Sequence, residues 1–286
     1  MNKSLLDLSR IIDCFRVELF ETIAEVAESS NVHFFVVGAM ARDIILLKGY
    51  GIQTGRATQD IDLGVQVSSW DSYERLREGL IATGKFRRDK KQAQRLEYGK
   101  SYPVDIIPFG AIAEPDHCFS WPPEHDKKMS TLGFEEAYNN SINVRMRTEP
   151  VLDIKFVSLP GLALLKIISW DDNQLRSGKD AHDLLLLMRT YLDAGNQERL
   201  WNEEADLVGE DFDYVPAGSR LLGRDIAKIL SPDSKEAVAK ILDKETGEQS
   251  QYRLVENMMD KHSEGRDFEE ALQLLEDLKA GILERI

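Results

Sequence analysis

Thr58-Gln59-Asp60-Ile61-Asp62-Leu63-Gly64-Val65-Gln66-Val67 is the stretch on which the reading of the fold turns. Its partial alternation predicts a β-strand. Residues i and i+2 of a strand share a face, so Asp60 and Asp62 project together while Ile61 and Leu63 face the core. Two aligned carboxylates repel each other unless a cation sits between them. Mg²⁺ favours carboxylate oxygen together with substrate phosphate. A two-metal site needs ions about 3.5–4 Å apart, which an Asp-x-Asp pair at a strand end suits. Alone, such a pair is a weak signal, because exposed strands carry it often.

Two flanking stretches add to it. Val32–Val37 is an apolar run ending at Gly38 and reads as a buried strand, with a helix over Ala39–Leu47 directly after it. Small residues at such a junction let backbone N–H groups approach a phosphate at a helix start. Arg42 is a candidate for a charge-assisted contact to the same phosphate. The other reading of the segment is a tight turn at Gly38 and a structural Arg42–Asp43 pair. Downstream, Pro103-Val104-Asp105-Ile106-Ile107-Pro108 places one carboxylate in an apolar strand, where an unpaired charge is costly. If that strand lies beside the Asp60–Asp62 strand, Asp105 becomes a third ligand; otherwise it is a strand-end residue facing water.

Outward from these motifs, residues 4–28 read as a helix, with Leu5, Leu8, Ile11, Ile12, Phe15 and Leu19 near helical spacing. Ser69–Thr83 reads as another, with Ser68 or Ser69 as N-cap. Ala93–Tyr98 and Tyr102–Phe109 read as strands joined by a Gly-containing turn. Ala111–Thr131 is rich in Pro, His and Asp and reads as a long surface loop. From Leu159 onward the pattern is mostly helical, ending in an amphipathic helix over Phe268–Ile286. The expected organisation is an α/β (α+β) domain with an N-terminal helix over residues 1–155, followed by a mainly helical domain over 156–286.

The chain has 286 residues, 42% hydrophobic and 30% charged, a globular composition long enough to bury a core without disulfides. No apolar run approaches the ~20 residues of a membrane helix. The opening residues are broken by charges, unlike a signal peptide. The two cysteines, Cys14 and Cys118, are too few for a disulfide framework. A soluble cytoplasmic protein is expected, with no membrane partner. The net charge of −14 argues against general nucleic-acid binding, whose affinity rests on phosphate neutralisation. Lys85–Lys100 is the exception, with seven basic residues against two acidic ones. Its Lys85, Arg87, Arg88, Lys90, Lys91 and Arg95 are candidates to hold an anionic substrate, unless the segment is simply a solvated turn between strands.

In the helical half, Leu162–Ile168 is apolar almost all round, so Lys166 inside it needs an anionic partner or a route to water. Lys179-Asp180-Ala181-His182-Asp183 opens the next helix, with Asp180 and Asp183 on one face. Acidic residues in a first turn also suit the helix dipole.

Taken together, VVGAMARDIIL, RATQDIDLGVQV, YPVDIIPFG, SLPGLALLKIISW, GKDAHDLLLLMRTY and AGSRLLGRDIAKIL resemble the AbiEii/AbiGii-type nucleotidyltransferases, toxins of abortive-infection and type IV toxin–antitoxin systems. The resemblance covers roughly residues 30–230. It implies a polymerase-beta-like nucleotidyltransferase domain with a mixed sheet, and transfer of a nucleoside monophosphate from an NTP to an acceptor hydroxyl. The implied metal ligands for Mg²⁺ or Mn²⁺ are Asp60, Asp62 and Asp105, the last also serving as general base. Gly38, Ala39 and Arg42 would hold the triphosphate. Lys166 matches the third-motif lysine, directed at the nucleotide phosphates, and Asp180 and Asp183 match the fourth motif, with Lys179 in place of its usual Arg. Ala39 departs from the Ser or Gly found in many members, which removes a hydroxyl contact but not the backbone donors. A tRNA 3′ end is an implied acceptor, and a cognate antitoxin an implied partner. Transfer to a small molecule or a protein, and nucleotide binding without catalysis, are the alternatives.

Overall fold

A computed structural model describes residues 5–55, 58–123, 125, 127–172, 177–209, 212–247, 249–260 and 264–284. The chain separates into two compact units that meet in sequence at Ser158/Leu159. The first unit holds β1 (Leu5–Asp7), α1 (Cys14–Ser29), β2 (His33–Val37), α2 (Gly38–Asp43), β3 (Ile61–Gln66), α3 (Trp70–Ala82), β4 (Phe86–Arg88), β5 (Arg95–Tyr98), β6 (Tyr102–Phe109), β7 (Cys118–Ser120), β8 (Lys128–Ser130), α4 (Phe134–Asn139), β9 (Ile142–Thr148) and β10 (Val151–Phe156). The second holds α5 (Leu159–Asp172), α6 (Ser177–Thr190), α7 (Arg199–Asn202), α8 (Tyr214–Ala227), α9 (Pro232–Thr246), α10 (Arg253–Met258) and α11 (Gly265–Leu283). No helix among the described residues is long and apolar enough to cross a membrane.

In the first unit an eight-stranded mixed sheet runs in the order β1-β9-β10-β2-β3-β6-β5-β4. β2 and β3 are antiparallel, β3 and β6 parallel, and β6 and β5 antiparallel. Alternation sorts the side chains. Ile61, Leu63, Val65, Val104 and Ile106 are buried on the face covered by α1 and α3. There the Tyr73 hydroxyl donates to the Ile106 carbonyl at 2.9 Å, and Phe20 of α1 meets Phe156 edge-on. On the opposite face, Phe35 and Phe109 pack against Phe134 and Tyr138 of α4. Gly64 is required there, because a Cβ would run into the Phe35 ring. Asp62 and Asp105 lie on this second face, two residues before Gly64 and Ile107 on their strands. One face therefore has an apolar end closed by α4 and a carboxylate end.

The N-terminus differs from the helix expected over residues 4–28, of which residue 4 lies outside the described ones. Leu5–Asp7 is a strand parallel to β9. Asp7 then accepts from the backbone N–H and hydroxyl of Ser9, and Asp13 caps α1 by accepting from the Arg16 N–H at 2.9 Å. Short acidic side chains that bond nearby backbone donors compete with a continuous helix. The loop expected over Ala111–Thr131 contains the β7–β8 hairpin, anchored through Phe119 and Trp121 against Trp70.

In the second unit, α11 packs along α8 at close backbone range. A Cβ on Gly223 would meet the Leu278 carbonyl, and one on Gly281 the Arg220 carbonyl. The apolar stripe of the C-terminal helix is thus spent on its own unit, with Leu274, Leu275, Leu278 and Ile282 buried. Residues 285–286 of the helix expected to reach Ile286 lie outside the described ones.

Candidate active site

The carboxylate end of the sheet is assembled by register. Asp62 of β3 pairs across the parallel ladder with Asp105 of β6, and across the antiparallel one with Val37, the last residue of β2. The chain then turns at Gly38 with φ +70, a region that favours glycine. A Cβ at this position would strike the Asp62 Oδ2 atom. Gly38 is thus needed for the turn and for the Asp62 side chain to lie against it. Asp60 immediately precedes β3, its side chain 43% exposed.

The third carboxylate has a partner. Arg95 of β5 stands directly opposite Asp105 and binds it through two parallel hydrogen bonds, Nε to Oδ1 at 2.7 Å and Nη2 to Oδ2 at 2.6 Å. The same Nη2 lies 3.7 Å from Asp60 Oδ2. The Asp105 side chain is only 12% exposed. The bonds from Asp105 push the Arg95 pKa above its ordinary value, so the guanidinium stays charged. Hard carboxylate oxygens are the right donors for a divalent cation, and Asp60 and Asp62 supply them. Yet among the described residues no group of three or more His, Cys, Asp or Glu is gathered to hold an ion. Both oxygens of Asp105 are instead bonded by Arg95.

Arg95 therefore belongs to the carboxylate cluster and not to an open acceptor surface. Most of the basic segment is likewise engaged. Lys85 pairs with Glu18, Arg87 with Glu97, and Arg88 with Glu74 and Glu78. Of the six expected acceptor contacts, only Lys90 and Lys91 are exposed with no ion pair among the described residues.

Arg42 forms the pair with Asp43 that is one of the two readings of its segment. It is 1% exposed, and its guanidinium bonds Asp43, from Nε at 2.9 Å and Nη2 at 2.5 Å. The helix predicted over Ala39–Leu47 runs only six residues before a wider π-type turn at Ile44–Gly49, and Arg42 is buried with Ala41, Ile45 and Leu46. Of the residues expected to hold a triphosphate in this unit, Gly38 and Ala39 remain partly open.

The second unit gathers its own three motif residues. Lys166 of α5 sends its ammonium to Asp180 Oδ1 at 2.6 Å and to Asp183 Oδ2 at 2.9 Å. Ser169 donates to the other Asp180 oxygen at 3.1 Å. Burial acts to lower the Lys166 pKa, but the charges and hydrogen bonds of the two aspartates outweigh it, and the net shift is upward. Asp183 is 1% exposed. The anionic partner demanded by a lysine in an apolar helix is this pair of acids. Farther along, Arg224 bonds Glu204, Asp206 and Glu284, while Asp225 accepts from Arg199, Lys228 and Tyr191. That network accounts for the Arg224–Asp225 part of the segment AGSRLLGRDIAKIL.

The family described as "Nucleotidyl transferase AbiEii toxin, Type IV TA system" matches residues 23–274. Among solved structures, the chain is similar to an antigenic nucleotidyltransferase-like protein from Paracoccidioides brasiliensis, at 14% identity and a TM-score of 0.40, covering 67% of this chain and 89% of that one. It is similar to the antibiotic-resistance factor ANT(2'')-Ia, at 16% identity and a TM-score of 0.36, covering 69% and 96%. It is also similar to the Thermotoga maritima CCA-adding enzyme complexed with tRNA, at 15% identity and a TM-score of 0.35, covering 92% and 67%. No curated protein matches.

Proposed function

Because the chain belongs to the AbiEii family of nucleotidyltransferase toxins of type IV toxin–antitoxin systems, and is therefore a nucleotidyltransferase, we propose that it moves a nucleoside monophosphate from an NTP to an acceptor hydroxyl. A bond forms between the acceptor oxygen and the α-phosphorus, the bond to the β-phosphate oxygen breaks, and pyrophosphate leaves. The observation that carries this reading is the direct pairing of Asp62 with Asp105 beside the Gly38 turn.

Asp60 and Asp62 are the residues proposed to hold Mg²⁺ or Mn²⁺, which when bound neutralises charge on the NTP phosphates. Asp105 is the proposed base for the acceptor hydroxyl's proton. The backbone at Gly38 and Ala39 faces the triphosphate. By the family's third and fourth motifs, Lys166 steadies phosphate charge, with Asp180 and Asp183 as the acids that set its position.

The acceptor implied by the family resemblance is a tRNA 3′ end. A second reading, a small cationic acceptor, is favoured by the engagement of Lys85, Arg87, Arg88 and Arg95 in ion pairs. One experiment separates the two. Protein and its D60A/D62A variant are incubated with Mg²⁺, each α-labelled NTP, and either total tRNA or a panel of aminoglycoside-type acceptors. Label on tRNA from the wild type alone supports the RNA acceptor, and label on the panel alone supports the small one. Pyrophosphate release equal in wild type and variant would overturn the assignment of the carboxylates.

A further inference from the structure

We propose that Arg95 is a built-in competitor for the metal site: its guanidinium holds Asp105 away from a divalent cation, and Asp105 joins Asp60 and Asp62 only when Arg95 lets go. The proposal rests on the reading of Asp60 and Asp62 as metal ligands.

The geometry argues for competition. Arg95 takes both oxygens of Asp105 at 2.7 and 2.6 Å, and the same Nη2 leans to 3.7 Å from Asp60 Oδ2. A positive group thus bridges two of the three carboxylates, where a divalent ion would draw its charge. The planar fork of Arg fits a carboxylate bidentately, which a lysine cannot reproduce, so the hold is directional as well as electrostatic. Cross-strand register fixes both partners, since Arg95 and Asp105 face each other in the β5–β6 hairpin. Arg95 is in this sense a positioning residue, acting through Asp105. The device would keep the third carboxylate out of use until ion and triphosphate arrive together, with the phosphates giving the released guanidinium a new anionic partner.

A different role predicts the opposite sign. An arginine that merely oriented Asp105 as a ligand would strengthen metal binding, as outer-shell partners of ligating carboxylates do, and its removal would weaken it.

The test is Mn²⁺ affinity of the full-length, nucleotide-free protein, read from the electron paramagnetic resonance signal of free Mn²⁺. Wild type, R95Q, R95K, D105N, R95Q/D105N and D60A/D62A are compared, with circular dichroism melts to verify that each is folded. A charge-assisted bidentate pair is worth about tenfold in an equilibrium, so R95Q is expected to bind Mn²⁺ about tenfold more tightly. R95K, which keeps the charge but loses the fork, should fall between R95Q and wild type. In the D105N background the R95Q gain should shrink to about threefold or less, the remainder being simple loss of positive charge. Equal or weaker binding by R95Q, or the full gain persisting without Asp105, would overturn the proposal. Equal binding by wild type and D60A/D62A would instead bring down the metal-ligand reading, and this proposal with it.

Discussion

The carboxylate end of the first unit and the Arg224–Asp225 network of the second both bring acids and bases into contact, but differ in burial. At the first, Arg95 reaches two acids, Asp105 and Asp60, and Asp60 remains well exposed. In the second, Arg224 and Asp225 are each bonded by several partners and are both buried. A carboxylate left near water has no packing rationale, whereas a buried, multiply bonded pair is what structure alone demands. The Lys166–Asp180–Asp183 cluster lies between the two cases: two acids to one base, and buried. Burial and the number of bonded partners, rather than the ratio of charges, distinguish the two regions.

The sharpest way to break this comparison is to remove a carboxylate. D62N should lower nucleotidyl transfer by about 10³-fold, a loss of about 4 kcal/mol in transition-state stabilisation. Its melting temperature should stay close to that of wild type, because the amide has the shape of the carboxylate it replaces. α-Labelled NTP incorporation and a thermal melt, run side by side, check both halves. R224M should do the reverse. Leaving Glu204 buried without this partner should cost about 3 kcal/mol in urea unfolding, while activity per folded molecule is unchanged. A loss of activity at full stability in R224M would erase the distinction.

G38A should cost activity next. The turn demands a positive φ and leaves no room for a Cβ beside Asp62. The backbone penalty is about 1–2 kcal/mol. Displacement of the Asp62 carboxylate should lower kcat by about 10²-fold, measured by pyrophosphate release at saturating NTP.

How far these contrasts are legible in sequence depends on range. The Asp-x-Asp spacing and the Gly38 turn are local, and strand alternation delivers them. The Arg95–Asp105 pair is also contained in the sequence: a hairpin turning at Gly99 sets Tyr98 against Tyr102 and, counting outward, Arg95 against Asp105. Treating Lys85–Lys100 as a block of charge hides it, because net charge says nothing about which base faces which acid. Burial of Arg42, by contrast, depends on how a short helix and a π-type turn pack, and no periodicity encodes that. The close contact of α8 with α11 through Gly223 and Gly281 joins residues nearly sixty apart. The early strand β1 is decided by its partner β9, not by its own apolar spacing.

Acid should act on the second region through Asp225. Burial tends to raise the Asp225 carboxyl, but bonds from Arg199, Lys228 and Tyr191 outweigh it and hold its pKa below the ordinary carboxylate value. Folded Asp225 therefore keeps its charge where the unfolded residue has begun to protonate. Its contribution is present in full above the ordinary carboxylate pKa, near about 4, and is lost as pH falls through the lowered value. The wild type should accordingly lose urea stability more steeply than D225N between about pH 4.5 and pH 3, while D225N should already be weaker at pH 7.

The smallest effect is expected at Lys90 and Lys91, two exposed cations of the basic segment with no ion pair among the described residues. If RNA phosphates are held there, each cation contributes about 0.7–0.9 to the logarithmic salt slope. K90A/K91A should then raise the KM for tRNA about threefold at moderate salt, flatten the salt dependence by fewer than about two ions, and leave kcat unchanged. R87A/R88A should do no more, because those arginines already answer to Glu97, Glu74 and Glu78. A tenfold or larger effect of R87A/R88A on KM would mean that these surface ion pairs open to RNA. The counting of paired against unpaired charge would then fail at the surface while holding in the interior, where desolvation keeps partners together.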